Sequence, residues 1–262
     1  MPTEKQILNE IRKLVPKSEE FLRDDAAIIE KNLIVTTDSL IENTHFTKDA
    51  YSPDEIGWKA LAVSLSDIAA MGGKPLYALV SLSLPKTITL NWIQNLYIGL
   101  RSCAKKYKTK IIGGNLTRSN EINITVTIIG KTKAGPPPAK KPSSAVGKRS
   151  NAKPGDLVFA SGTFGDSALG FYLLKERNKY PLPTKITNEL IQKHKEPKCQ
   201  IKLGQKIIRL CKRVALMDAS DGLADCLIQI AEESKVKITI EKNKIPISHH
   251  SKEITKLLKK DP

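Results

Sequence analysis

Carboxylates recur at the margins of apolar runs in this chain. Asp24 and Asp25 stand before Ala26-Ala27, Asp38 closes Ile34-Val35-Thr36-Thr37, Asp67 interrupts Ser64-Leu65-Ser66-Asp67-Ile68-Ala69-Ala70-Met71, and Asp218 and Asp221 share the hexad Asp218-Ala219-Ser220-Asp221-Gly222-Leu223. A carboxylate placed against apolar neighbours is costly unless it is paired or holds a cation. The chain has only four histidines, and Cys103, Cys199, Cys211 and Cys226 lack zinc spacing. An all-oxygen donor set of this kind suits magnesium and a polyphosphate.

Each element of the set also has a plainer reading. The hexad follows an apolar strand and opens a helix, so its carboxylates face cations while the helix amides face phosphate; the alternative is a capping box with Ser220 or Asp221 as cap. Asp67 reads equally as a salt-bridged core aspartate or as a cation ligand. Asp25 and Thr36-Thr37-Asp38 are either turn formers or ligands, and the predicted hairpin geometry, which brings them to one end, favours ligands. Gly162-Thr163-Phe164-Gly165-Asp166-Ser167 is a turn able to wrap a phosphate, a weak signal alone. By themselves His45 reads as structural or solvated and Arg149 as a solvated charge. GxxxxGK[ST], HExxH, nucleophile-elbow and HRD motifs are absent from the sequence.

The elements that must position these residues follow from periodicity. Ile7, Ile11 and Leu14 predict an amphipathic helix over residues 4–14, expected to serve packing. Residues 26–29 and 33–37 predict a hairpin, with Asp25 and Asp38 at its open end. Ser52-Pro53-Asp54-Glu55 starts a helix that runs to Met71 and stops at Gly72-Gly73. A strand over 75–84, a helix over 90–107, a strand over 110–112 ending in Gly113-Gly114-Asn115, and a strand over 122–130 follow. Residues 132–150, rich in Pro, Gly, Lys and Ser, break the pattern. Beyond them the sequence predicts strands at 157–161, 214–217 and 236–240, and helices from Asp166, over 186–194 and 200–210, and over 221–233.

These elements predict an α+β protein of two domains: residues 1–135, a linker or loop over 136–150, and residues 151–262. At 262 residues and 40% hydrophobic, the chain is long enough for both cores. An excess of 43 Lys and Arg over 27 Asp and Glu gives a formal charge of +16, which attracts polyanions without selecting one. The lysines are scattered and aromatics make up only 5%, so nucleic-acid binding is not expected. No apolar leader or membrane span is visible, and the cysteines read as reduced, mostly buried thiols, which implies a cytoplasmic protein.

In order, Asp24-Asp25-Ala26-Ala27, Thr36-Thr37-Asp38, His45-Phe46, the helix from Trp58 to Gly72, Gly113-Gly114-Asn115, Pro154-Gly155-Asp156, Gly165-Asp166-Ser167 and Asp218 to Leu223 resemble the thiamine-monophosphate kinase family. That family belongs to the superfamily of aminoimidazole ribonucleotide synthetase, ATP users without a P-loop, and the resemblance covers essentially the whole chain. It implies a homodimer whose N-terminal sheets join into a β-barrel, with ATP held by several Mg2+ ions. It further implies Asp25, Thr36, Thr37, Asp38, Asp67, Asp218 and Asp221 as magnesium ligands, Tyr97, Gly114, Asn115, Arg149 and Ser220 as ATP contacts, and His45 as a contact to thiamine monophosphate. The implied reaction is in-line transfer of the γ-phosphoryl group of ATP to that phosphate, without a covalent enzyme intermediate.

The chain departs from the family pattern at Asn115, where the family often has Asp, at Arg23 in place of Gly, and near Gln200, where an arginine is expected. Its sequence ends at Pro262, before the segment that carries the family's Gly-Gly-Glu-Asp-Tyr motif and late aromatic. A second domain incomplete relative to the family is therefore expected. The alternative reading is a noncatalytic Mg-ATP-binding descendant.

Overall fold

The structure is a computed structural model and describes residues 2–15, 24–29, 32–132, 146–176 and 183–259. Arg23 and residues 133–145, most of the predicted linker, lie outside them. Five strands form one open sheet in the order β1-β2-β5-β3-β4, with β1 (Ala27–Ile29), β2 (Leu33–Ile41), β3 (Lys74–Leu84), β4 (Lys110–Arg118) and β5 (Asn123–Lys131). Only β3 and β4 run parallel; the other neighbours are antiparallel. Strand β5 alternates buried and half-buried residues along its length, as a central strand with one covered face must.

The cover is α2 (Pro53–Ala70), across which α3 (Leu90–Tyr107) packs. Helix α2 begins where the sequence places it. Pro53 occupies the first turn, and the Glu55 carboxylate accepts a hydrogen bond from the Ser52 N–H at 2.9 Å. Its apolar residues are buried on most sides, and Ile56, Leu61, Leu65 and Ile68 are wholly enclosed with Ile34, Ile124, Val126 and Ile128 from the sheet. The other α-helices of the described chain are α1 (Glu4–Leu14), α4 (Asp166–Lys175), α5 (Thr184–Lys195), α6 (Ile201–Leu210), α7 (Leu223–Ser234) and α8 (His249–Leu257).

The sheet of one chain is open. Three sequence expectations need correction. Strand β2 continues to Ile41, so Asp38 sits inside a ladder opposite Val126 and not beyond a strand end. Strand β4 continues through Gly113-Gly114-Asn115 to Arg118, because a β-bulge at Ala78/Leu79 keeps it paired with β3. A Cβ on Gly114 would stand 1.7 Å from the Val80 carbonyl oxygen, so glycine permits that approach.

The third concerns the second half of the chain, where the predicted strands at 157–161, 214–217 and 236–240 are not strands. Their β-branched and aromatic content is genuine, but a strand exists only when a neighbour supplies ladder partners. Leu157 and Phe159 are instead 79% and 85% exposed. The α/β second domain is therefore, among the described residues, a set of helices and connecting loops. Helix α1 forms as expected, yet Leu14 remains exposed; ion pairs from Lys5 to Glu232 at 2.5 Å and from Arg12 to Glu233 at 3.5 Å tie it to α7.

A small core of Leu169, Leu173, Leu190, Ile191 and Ile254 joins α4, α5 and α8, and one carboxylate anchors it. Asp166 accepts hydrogen bonds from Thr163 at 2.7 Å, Ser251 at 2.5 Å, Lys193 at 2.6 Å and the Ser248 hydroxyl. Burial raises its pKa, but these donors outweigh burial and hold it down at about 2. Asp166 thus spends its charge on structure. Replacing it by Asn is expected to cost about 3 kcal/mol, the scale for breaking a buried, multiply bonded charge. Because the folded pKa is depressed, the wild-type contribution is present above the unfolded value near 4 and is lost as pH falls towards about 2. Urea denaturation of both proteins at pH 7 and pH 2.5 checks this: the stability gap should narrow in acid, and an equal gap at both pH values would be the wrong outcome.

Candidate metal and nucleotide site

Three segments bring their carboxylates to one place under the helix-covered face of the sheet. Asp25 precedes β1, Asp67 lies in the last turns of α2, and Asp218 ends the extended segment before α7. One oxygen from each lies within 4.8 Å of the other two, a spacing that a single cation can bridge. Thr36, whose side chain points to the same face by strand alternation, donates its hydroxyl hydrogen to Asp67 at 2.5 Å and lies 3.2 Å from the Asp25 carbonyl oxygen. The Ser66 hydroxyl donates to Asp218.

Opposite charge near this cluster is scarce. Arg149 donates to Asp25 at 2.5 Å and to Gln229 at 2.5 Å, while its own backbone N–H donates to Asp24 at 2.9 Å. The other Asp25 oxygen is buried without a hydrogen-bond partner. Burial pushes the Asp25 carboxyl up to about 7 in spite of Arg149, with Asp218 and Asp24 adding to the rise. Burial raises Asp67 as well, reinforced by the charges of Asp38 and Asp218. Asp38 and Asp218 are also raised, first by burial, and Asp221 contributes to both. A site that raises four carboxylates and leaves a buried oxygen unpartnered lacks positive charge, and divalent cations fit that deficit.

The hexad supports the same reading. Helix α7 starts at Leu223 with Gly222 as its N-cap, at a φ of 100° that favours glycine. Neither Ser220 nor Asp221 is spent on capping, contrary to the plainer alternative; the Ser220 hydroxyl lies 3.4 Å from Asp218. Arg149 is not the solvated charge its basic surroundings suggest. Residues 149–151 form a 3-10 turn against α7, and the Arg149 side chain is only 15% exposed.

Other predicted residues stand elsewhere. The Thr37 hydroxyl points to the opposite, open face of the sheet, where it pairs with Thr127 at 3.0 Å, because successive strand side chains alternate. Gly114 and Asn115 are exposed on the edge strand β4, and Tyr97 packs half-buried from α3 against the core. His45 is exposed in the turn after β2, with Nδ1 accepting a hydrogen bond from the Ile41 N–H at 2.9 Å. Ser66 and Gln229 belong to the site and were not singled out from sequence. Ser66 had a signal, a hydroxyl beside the anomalous Asp67; Gln229 in an amphipathic helix had none.

No helix among the described residues is long and apolar enough to cross a membrane. A family model described as the N-terminal domain of AIR synthase related proteins matches residues 23–132. The thiamine-monophosphate kinase of Aquifex aeolicus is 38% identical over 243 residues, covering 91% of this chain and 74% of that protein. The thiamine-monophosphate kinase of Bacillus subtilis is 40% identical over 215 residues, covering 82% of this chain and 63% of its own length. Among solved structures, AaThiL complexed with AMPPCP and TMP superposes with a TM-score of 0.88 at 35% identity, covering 100% of this chain and 81% of that one. The thiamine-monophosphate kinase from Stenotrophomonas maltophilia gives a TM-score of 0.74 at 28% identity, with coverage of 95% and 77%.

Proposed function

The chain belongs to the thiamine-monophosphate kinase family, and from that premise we propose that it phosphorylates thiamine monophosphate to thiamine diphosphate by direct in-line transfer of the γ-phosphoryl group of ATP. The observation that carries this reading is the convergence of Asp25, Asp67 and Asp218, largely withdrawn from solvent and short of positive charge, in a chain without a P-loop. Both reactants are anions. Bound magnesium ions would supply the charge neutralisation that a loose phosphoryl-transfer transition state requires.

Asp25, Asp67, Asp218, Asp38 and Asp221 are the residues we assign to the cations, with Thr36 orienting Asp67 and Thr37 joining through a group other than its outward-turned hydroxyl. Arg149 is assigned to ATP. It pairs with Asp25, and a cation on Asp25 would free the guanidinium to meet phosphate oxygens. Ser220 stands beside Asp218 for the same nucleotide, whereas Tyr97, Gly114 and Asn115 are assigned to it on the family resemblance. His45 is assigned to thiamine monophosphate. No side chain need become covalently attached; the protein's work is to position two anions and to hold the cations between them.

We read the chain as a homodimer and as two domains divided within 136–150. The open face of the sheet, with its hydroxyl pairs Ser39–Thr125 and Ser83–Thr117, and the edge strand β4, where Ile112 and Leu116 are 55% and 70% exposed, support the joining of two sheets into a barrel. A purified chain that sediments only as a monomer would remove that reading.

The test of function is magnesium-dependent ADP release from ATP with and without thiamine monophosphate, with the product identified by mass. Thiamine diphosphate that forms only with both substrates and magnesium supports the kinase. Folded protein that binds Mg-ATP and makes none overturns it in favour of a noncatalytic nucleotide-binding descendant.

A further inference from the structure

One half-buried cation on the helix that carries Asp67 has no anionic partner among the described residues. Lys59, on α2, donates from Nζ to the carbonyl oxygen of His45 at 3.2 Å and to the Tyr51 hydroxyl at 3.2 Å, and its ammonium lies 5.1 Å from the Tyr51 ring centroid. No carboxylate among the described residues pairs with it. Glu55, one turn earlier, is engaged by the Ser52 N–H and by Lys195 at 2.7 Å. Burial alone pushes the Lys59 pKa down to about 8. A lysine held in this way gives up hydration for two neutral acceptors, which calls for a reason beyond charge pairing.

Those acceptors bracket a short, defined turn. Asn43, in the left-handed region at a φ of 64°, donates its N–H to the Phe46 carbonyl at 2.8 Å, and the His45 N–H donates to the Ile41 carbonyl at 2.9 Å. The Ile41 N–H returns a hydrogen bond to His45 Nδ1. With Nδ1 an acceptor, the neutral imidazole carries its proton on Nε2, so the exposed edge of His45 is a hydrogen-bond donor. Tyr51 is fixed in turn by Phe46, by the His194 ring at 6.1 Å and by Lys195 at 5.2 Å from its centroid. Lys59 therefore clamps the turn from α2, about 12 Å along that helix from Asp67 by the rise per residue.

We propose that Lys59 is a positioning residue for acceptor recognition: its bond to the His45 carbonyl holds the turn so that His45 presents Nε2–H to the phosphate monoester of the acceptor. One helix then sets the distance between the cation ligands and the acceptor contact. The inference rests on the assignment of His45 to thiamine monophosphate made above.

Steady-state kinetics of wild type, Lys59→Met, Lys59→Arg, His45→Ala and the double variant Lys59→Met/His45→Ala test it. Lys59→Met should raise KM for thiamine monophosphate about 10-fold, the scale of one charge-assisted hydrogen bond, with kcat and the KM for ATP little changed. Arginine should restore most of the loss, and Lys59→Met should add nothing in the His45→Ala background. An unchanged KM for thiamine monophosphate, or full multiplication of the two single effects, overturns the proposal. Amide hydrogen exchange at Ile41 gives a readout independent of turnover: it should accelerate in Lys59→Met, and unaltered protection refutes the clamp. If the wild type makes no thiamine diphosphate, the proposed activity fails while Ile41 exchange still decides the clamp. Should Lys59→Met not fold, Lys59→Gln, which keeps a polar head without the charge, is measured in the same two ways.

Discussion

Asp67→Asn is expected to lower kcat about 10³-fold while making the ligand-free protein more stable, and the opposite signs identify a binding residue. The rate loss follows from removing one anionic oxygen donor among Asp25, Asp67 and Asp218, on the scale of deleting a preorganised electrostatic group. The gain in stability follows from the electrostatics. Burial raises the Asp67 pKa, and the charges of Asp38 and Asp218 raise it further, so its ionised form is disfavoured in the fold. Asparagine keeps an oxygen able to accept from Thr36 and removes the repulsion. The sign with pH is fixed. A raised carboxyl pKa costs nothing below the unfolded value near 4, and the cost grows as pH rises towards the folded value. In EDTA the variant should therefore melt about 2–4 °C higher than wild type at pH 8, corresponding to about 1 kcal/mol, and at the same temperature at pH 4. Calorimetry at both pH values, with turnover measured in parallel, checks the pair. Retained turnover, or a variant less stable at pH 8, would take Asp67 out of the proposed cation site.

Gly99→Ala should be among the most damaging single methyls in the sheet half of the molecule. In an exposed helix the change would stabilise by up to about 1 kcal/mol. Here the new Cβ would lie 1.8 Å from the Asp54 carbonyl oxygen, and across the same crossing a Cβ on Gly57 would lie 2.1 Å from the Leu96 carbonyl oxygen. Each obstacle is backbone, so no side-chain rotation relieves it; α2 and α3 must separate, and α2 carries Asp67. A loss of more than about 3 kcal/mol, or a fall in Tm of about 10 °C, is expected. Gly162→Ala, where a Cβ meets nothing within 4 Å, is the control and should be near neutral. Denaturant melts of the two variants read the contrast, and a Gly99→Ala protein as stable as wild type would mean that the helices do not cross there.

Local sequence determined a good deal of this molecule. Helices α2 and α3 follow from their apolar content and from caps at Ser52 and Thr89, because periodicity and capping act within a few residues. The chemistry of the site was legible too: aspartates set repeatedly against apolar runs mark a cost that only a cation or a partner offsets. The order of motifs pointed to the family, and the chain belongs to it.

Distance in sequence hid the remainder. A glycine in a helix reads as a small penalty until a second helix is seen to lie on it, as at Gly57 and Gly99. Arg149 reads as a surface charge until the fold carries it to Asp25, 124 positions away in the chain. Extended residues 157–160 and 236–240 have the composition of strands, but composition supplies only half of a ladder. The sequence by itself determined which residues have the chemistry to bind cations and phosphate, since that is a property of each side chain and its near neighbours. Only the tertiary structure decided that Asp25, Asp67 and Asp218 converge, that the Thr37 hydroxyl turns away and that Lys59 reaches the His45 carbonyl. Those facts depend on strand register and helix crossing, which arise from packing between segments far apart in the chain.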